Sequence, residues 1–210
     1  MDEDEKMKYR KHDKPRVFVS LDLEMNQPSC RIIQIGAVVG NVVTGEIFDE
    51  KFSMLVECGE PLCTETDRAE NKCDIPKLTG ITDEKIRERG VSLFEAYEKL
   101  KEYCSKYEAA RTLITWGAGD VVALKCQLER DYPDTCDWSK HRFPFGFRVL
   151  DIKTLHQAWA VVNDVSIKAG LAKAMSKHSL LFRGRAHDAM WDAHNTFVIA
   201  HHLFIKLNEG

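Results

Sequence analysis

The 210-residue chain has no Cys-x-x-Cys pair, no long apolar run, no excess of positive charge and no repeat or low-complexity tract. Each absence excludes something. The seven cysteines, Cys30, Cys58, Cys63, Cys73, Cys104, Cys126 and Cys136, are odd in number and irregular in spacing. They do not form a closed disulfide framework; they read as free thiols in the cytoplasm or another reducing intracellular compartment. Cys58, Cys63 and Cys73 lie near one another, but structural zinc wants four ligands at tighter spacing. No apolar run reaches the ~18 residues of a membrane helix, so no membrane partner is expected. Residues 1–14 are a charge cluster without an apolar centre, which excludes a signal peptide. They are expected to form a disordered tail ahead of a single domain, residues 15–210. A net charge of −3 does not suit a strongly basic, sequence-independent nucleic-acid binder. Any nucleic-acid contact must be local, or must borrow charge from bound cations.

What is present begins with three β-rich runs: Arg16–Met25, Arg31–Val39 and Ile47–Val56. Thr44 and Gly45 mark a hairpin between the second and third. Residues 57–77, with Pro61 and Pro76, read as an irregular excursion. Thr82 caps a short helix ending near Gly90. Ser92 caps a longer one, with Glu95 completing a capping box; Leu93, Ala96, Tyr97, Leu100, Tyr103 and Cys104 recur at helical spacing. Strands at Thr112–Trp116 and Arg148–Leu150 then alternate with helices near Asp120–Arg130 and Asp151–Val162. Two further helices fill Ile167–Lys177 and Asp188–Leu207. A leading meander followed by β-α alternation predicts an α/β fold: a mixed sheet with helices on both faces.

Three segments carry candidate chemistry. In Leu21-Asp22-Leu23-Glu24-Met25 the strand period puts Asp22 and Glu24 on one face. Acids are poor strand residues, and two converging carboxylates repel unless a cation joins them. Hard oxygen ligands favour Mg²⁺ or Mn²⁺. The alternative is a half-solvated strand with acids facing water. Asp120 follows Trp116-Gly117-Ala118-Gly119, where strand passes to helix; the alternative there is a helix cap. Asp192 sits one turn into the last helix, with His187 just before it. That helix continues as Phe197-Val198-Ile199-Ala200 and so packs on the body, where an unpaired acid is costly. Four acids and a histidine suit phosphodiester hydrolysis with two metal ions, because an imidazole can accept a proton from water near neutral pH.

At these residues the chain resembles the DEDDh group of 3′–5′ exonucleases, in the ribonuclease H-like superfamily. Asp22 and Glu24 match the first motif, Asp120 the second, and His187, Asp192 and Ala193 the third. Leu78-Thr79-Gly80-Ile81-Thr82 is similar to the family's Leu-Thr-Gly-Ile segment, and Leu150-Asp151 to its usual Asp before a helix. The order and spacing agree from about residue 16 to 205. The sister group has Tyr four residues before the last Asp; here that residue is Asp188, and His187 lies five before it. The family often has Asn where Trp116 stands, and the Trp-Gly-x-x-Asp form is more similar to the branch that trims structured RNA ends.

The resemblance implies a ribonuclease H-like sheet, an antiparallel three-strand meander plus parallel strands. It implies release of nucleoside 5′-monophosphates from single-stranded 3′ ends, RNA being favoured slightly over DNA. It also implies two Mg²⁺ or Mn²⁺ ions. Asp22, Glu24 and Asp192 would hold the first, Asp22 would bridge to the second, and Asp120 would reach it through water. His187 would activate the attacking water. Met25, Asn26, Thr79, Gly80, Ile81 and Arg185 would contact the terminal nucleotides, and a homodimer is left open. Lys173, Lys177 and Arg183 could share the phosphate path with Arg185. The stretch 139–148, with Lys140, His141, Arg142, Phe143, Phe145, Phe147 and Arg148, could stack bases or simply pack as core aromatics. Rival readings are a nucleic-acid-binding module without catalysis and a partner-binding protein with an incidental acid cluster. The first predicts a missing ligand, and none is missing. The second predicts stability indifferent to metal.

Overall fold

A computed structural model of the protein describes residues 16–64, 74–134 and 148–209. The expected tail, Cys73, Cys136 and most of the basic aromatic stretch lie outside these residues. Strand β1 (Val17–Met25) pairs antiparallel with β2 (Ile32–Asn41), which pairs antiparallel with β3 (Ile47–Leu55). On its other side β1 runs parallel to β4 (Leu113–Thr115), which is parallel to β5 (Val149–Asp151). The sheet order is β3-β2-β1-β4-β5, so β1 is central, with the meander on one side and the parallel strands on the other.

Both faces are covered. Odd-numbered β1 residues Val19, Leu21 and Leu23 pack with Ile35, Ala37 and Val39 of β2. Their cover is helix α3 (Leu93–Lys106), through Leu93, Ala96, Tyr97, Leu100 and Tyr103, and helix α4 (Gly119–Asp131), through Val121, Leu124 and Leu128. The opposite face carries Val38 and Ile114. It is covered by α5 (Ile152–Val162), α6 (Leu171–Lys177) and the long α7 (Ala189–Glu209). A half-solvated first strand is therefore excluded, and its acids face a helix. A third, smaller cluster (Ile33, Cys58, Leu62, Ile75, Ile81, Ile86) lies with α1 (Ile75–Thr79) and α2 (Asp83–Arg89).

Local chemistry explains the boundaries. The hydroxyls of Thr82 and Ser92 accept the amides of Lys85 and Glu95, satisfying first-turn donors that lack helical partners. Within the described residues of the irregular excursion a short helix, α1, begins at Ile75. Asp74 caps it by accepting the Lys77 amide, and Pro76 sits in its first turn, where a missing N–H costs nothing. The helix expected over 167–177 begins only at Leu171. The Ser166 hydroxyl takes the Lys168 amide, a local bond that competes with helix, and Gly170 holds the extended cap position. No helix among the described residues is long and apolar enough to cross a membrane.

Helix α7 lies directly on bare backbone of β2. A Cβ on Gly36 would sit 2.1 Å from the Ala189 carbonyl carbon, and one on Gly40 would sit 2.6 Å from the Phe197 ring. The helix answers with a narrow face: Ala189, Ala193, Phe197 and Ala200, all fully buried. Gly36→Ala should therefore overpack this contact at a cost of about 1–3 kcal/mol. Thermal unfolding should show a fall in Tm of roughly 2–10 °C; an unchanged Tm would mean that the helix has room to move away.

Candidate active site

Asp22 and Glu24 occupy the α7-facing side of β1. Their partners across the ladder are Gly36 and Gln34. The bare backbone at Gly36 lets α7 come close beside Asp22. Gln34 fixes its approach by accepting the Ala189 amide on Oε1 at 3.1 Å. Asp120 arrives from the neighbouring strand. Beyond β4 the chain turns at Gly117, with φ +101°, a conformation suited to glycine. The Gly117 amide donates to Asp151 Oδ1 at 3.1 Å, and Asp151 also caps α5 by accepting the Thr154 amide. Asp120 is not the cap of α4: Ala118 holds that position without a side-chain bond. The site thus lies at the carboxyl ends of two adjacent parallel strands, the usual location in open α/β sheets.

Asp192 and His187 come from α7 and the loop ahead of it. Asp188 accepts the Met190 and Trp191 amides on Oδ1, so it caps the helix. His187 adopts φ +61°, and its amide donates to Asp192 Oδ2 at 2.9 Å. Ligand atoms of Glu24, His187 and Asp192 lie within 4.8 Å of one another.

Electrostatics shows what the arrangement costs. Burial pushes the Asp22 carboxyl well above the ordinary range, and the charges of Asp120, Asp192, Glu24 and Asp188 push it further. Burial, then Asp192, Asp120 and Asp188, raise Glu24 to about 8. Burial raises Asp120 to about 7. Asp192 is also raised by burial, opposed by the His187 amide and imidazole. Hard oxygen donors crowded at one buried point fit Mg²⁺ or Mn²⁺, with Asp22, Glu24, Asp120 and Asp192 as the candidate ligands and His187 within reach.

The residues expected near substrate are more dispersed. Met25 is half-buried and packs on the core. Asn26 is 2% exposed; its amide serves the segment 60–63, donating to Glu60 and Pro61 and accepting from Cys63. Thr79 and Ile81 are buried, and the Thr79 hydroxyl bonds the Ile75 carbonyl and the Ile81 amide. Gly80 closes α1 at φ +73°. Its missing Cβ leaves space for the Arg185 guanidinium, which donates to the Lys77 and Leu78 carbonyls at 3.0 and 3.2 Å. Arg185 therefore ties the histidine loop to the Leu78–Ile81 segment. Lys177 donates to the Ser166 carbonyl. Trp116 is half-buried, with its ring 5.9 Å from that of His156. Gln34, Asp188 and Asn195 carry no pattern that marks them in sequence. Gly36 and Gly40 do, since glycine inside an apolar strand signals close backbone approach.

The raised carboxyls set a pH dependence. Their folded pKa values lie above the unfolded ones, so the folded state binds more protons between about pH 4 and about pH 8, the value to which Glu24 is raised. Metal-free stability should fall as pH rises through that window. Melting in EDTA from pH 5 to 9 should show this decline. Mn²⁺ should reverse it most strongly at the alkaline end, where the carboxylates are ionised. Glu24→Gln should melt above the wild type at pH 8 in EDTA and gain less from Mn²⁺. A Tm independent of pH and of metal would contradict a cation site.

No protein-family model matches the sequence, and no curated protein matches it. Solved structures do match. The nuclease domain of 3′hExo, a DEDDh family member bound to rAMP, aligns over 92% of this chain and 94% of its own, with 19% identity and a TM-score of 0.69. A 3′-exonuclease described for 3′-end-specific recognition of a histone mRNA stem-loop aligns over 92% and 84%, with 19% identity and a TM-score of 0.68. S. pombe Pop2p, in its Mg²⁺- and Mn²⁺-bound form, aligns over 95% and 87%, with 17% identity and a TM-score of 0.59. The five-stranded mixed sheet with helical cover on both faces is thus a fold that this chain shares with these nuclease structures.

Proposed function

We propose that the chain is a two-metal-ion 3′–5′ exonuclease that releases nucleoside 5′-monophosphates from single-stranded ends. The observation that carries this reading is the meeting of Glu24, His187 and Asp192 within 4.8 Å, at a point where Asp22 and Asp120 are also held in raised-pKa surroundings. A structural cluster of buried acids would be pure cost; a cation site converts that cost into binding. Bound divalent cations supply neutralisation of the carboxylates, attraction for phosphate, and stabilisation of the charge that develops during displacement.

The chain's own groups do the rest. Asp22, Glu24, Asp120 and Asp192 hold the cations. His187, outside the strands and exposed, is placed to accept the proton of the attacking water. Asp192 holds the His187 backbone through its amide, so one residue serves both cation and base. RNA is the favoured substrate: two of the similar structures are described with rAMP and with a histone mRNA stem-loop. The acidic balance of the chain is consistent with a phosphate path that depends on bound cations.

The test is a time course with 3′- and 5′-labelled single strands, RNA and DNA in parallel, with Mg²⁺, Mn²⁺ or EDTA. The expected result is a ladder shortening from the 3′ end, abolished by EDTA, faster on RNA. No cleavage of either strand by metal-binding protein would sink the reading. His187→Ala should slow turnover ~10²–10⁴-fold, the usual worth of a general base, and a loss below tenfold would assign that role elsewhere. Asp192→Ala should abolish hydrolysis in a protein that still folds, since an acid leaves a repulsive cluster.

A further inference from the structure

The loop ahead of α7 is gripped by one face of the helix it leads into. The gripping residues are Asp188, Trp191, Asp192 and Asn195, spaced i, i+3, i+4 and i+7, which places them in a row along two turns. Asp188 caps the helix. Trp191 presses its ring on Gly184, whose φ is +72° and whose Cβ, were there one, would meet the ring at 2.1 Å. Asp192 takes the His187 amide. Asn195 is fully buried and forms a reciprocal pair with Arg183: its Oδ1 accepts the Arg183 amide at 2.9 Å, and its Nδ2 donates to the Arg183 carbonyl at 2.8 Å. The same Nδ2 also donates to the Trp191 carbonyl at 2.8 Å.

We infer that Asn195 is a positioning residue for His187, fixing through Arg183 the start of the short arm on which the imidazole stands. This rests on the nuclease reading above and adds a residue to it. The arm runs only from Arg183 to His187, and its far end is set by Asp192. With both ends held by one rigid helix, the imidazole and the Asp192 carboxylate keep a constant relation. A carboxamide suits this position because the arm presents one donor and one acceptor at Arg183. Alanine offers neither bond. Aspartate keeps the acceptor but sets a carboxylate against the carbonyls of Arg183 and Trp191, which its Nδ2 now satisfies. Asn195 is fully buried one turn beyond Asp192, with its side chain bonded to Arg183 and Trp191, so its influence should fall on the base alone.

The experiment compares wild type, Asn195→Ala, Asn195→Asp, His187→Ala and the double variant Asn195→Ala with His187→Ala, on a labelled RNA strand in Mn²⁺. Asn195→Ala should lower kcat by about 10²-fold, the order expected for a displaced catalytic group, with KM and the Mn²⁺ midpoint of thermal stabilisation unchanged. In the His187→Ala background the same substitution should produce no further loss, because the group it positions is gone. Asn195→Asp, should Asn195→Ala fail to melt cooperatively, carries the same expectation through its lost donors. A full additional loss in the His187→Ala background, or a shifted Mn²⁺ midpoint with kcat retained, would overturn the positioning role while leaving the nuclease intact. A wild type that degrades no strand would overturn the nuclease reading itself.

Discussion

The close approach of α7 to the backbone of β2 is the contact on which the site depends. Asp22 and Glu24 stand on β1, whose neighbour in the ladder is β2, with Gly36 directly opposite Asp22. A side chain at Gly36 would hold the helix away, and Asp192 with it. The row of small residues on the helix and the amide bond from Ala189 to Gln34 then set its height and its start along the strand. Packing here is part of the functional geometry, because a core this dense transmits even small changes in volume.

That contact stores electrostatic tension. Asp22, Glu24, Asp120 and Asp192 converge where burial already disfavours charge, and the charge of Asp188 adds to the repulsion on Asp22. Hydrophobic cover on both faces of the sheet keeps them together. The fold therefore carries a site that is poorly satisfied alone, a common mark of function over stability. Neighbouring groups that do not touch the cluster hold its geometry: Asp151 ties down the turn bearing Asp120, and Asn195 ties down the arm bearing His187.

Much of this was legible in the sequence. The meander, the Ser92 cap of α3 and the apolar period of α3 rest on local rules that tertiary context did not override. So does the convergence of Asp22 with Glu24, since strand alternation alone puts them on one face. The pattern over 167–177 predicts a longer helix than the one that forms from Leu171, because side-chain bonds such as that of Ser166 compete with the helix one residue at a time. The short helix α1 was hidden in a segment dominated by turn formers. Asn26 and Thr79 follow or occupy recognisable motifs, yet their side chains face inward, because burial depends on what packs over them and local pattern does not report it.

The sequence by itself determined which residues could carry the chemistry and which element each would ride on, because strand and helix periods and capping preferences are local. Only the tertiary structure decided that Glu24, His187 and Asp192 meet, that Asp188 joins the charged cluster while Asp151 stands behind it, and that Arg185 and Asn195 brace the histidine arm. Those outcomes depend on distances between residues up to 168 positions apart in the chain, as Glu24 and Asp192 are. Such distances are set by how closely a helix can lie on a strand, which no local pattern encodes.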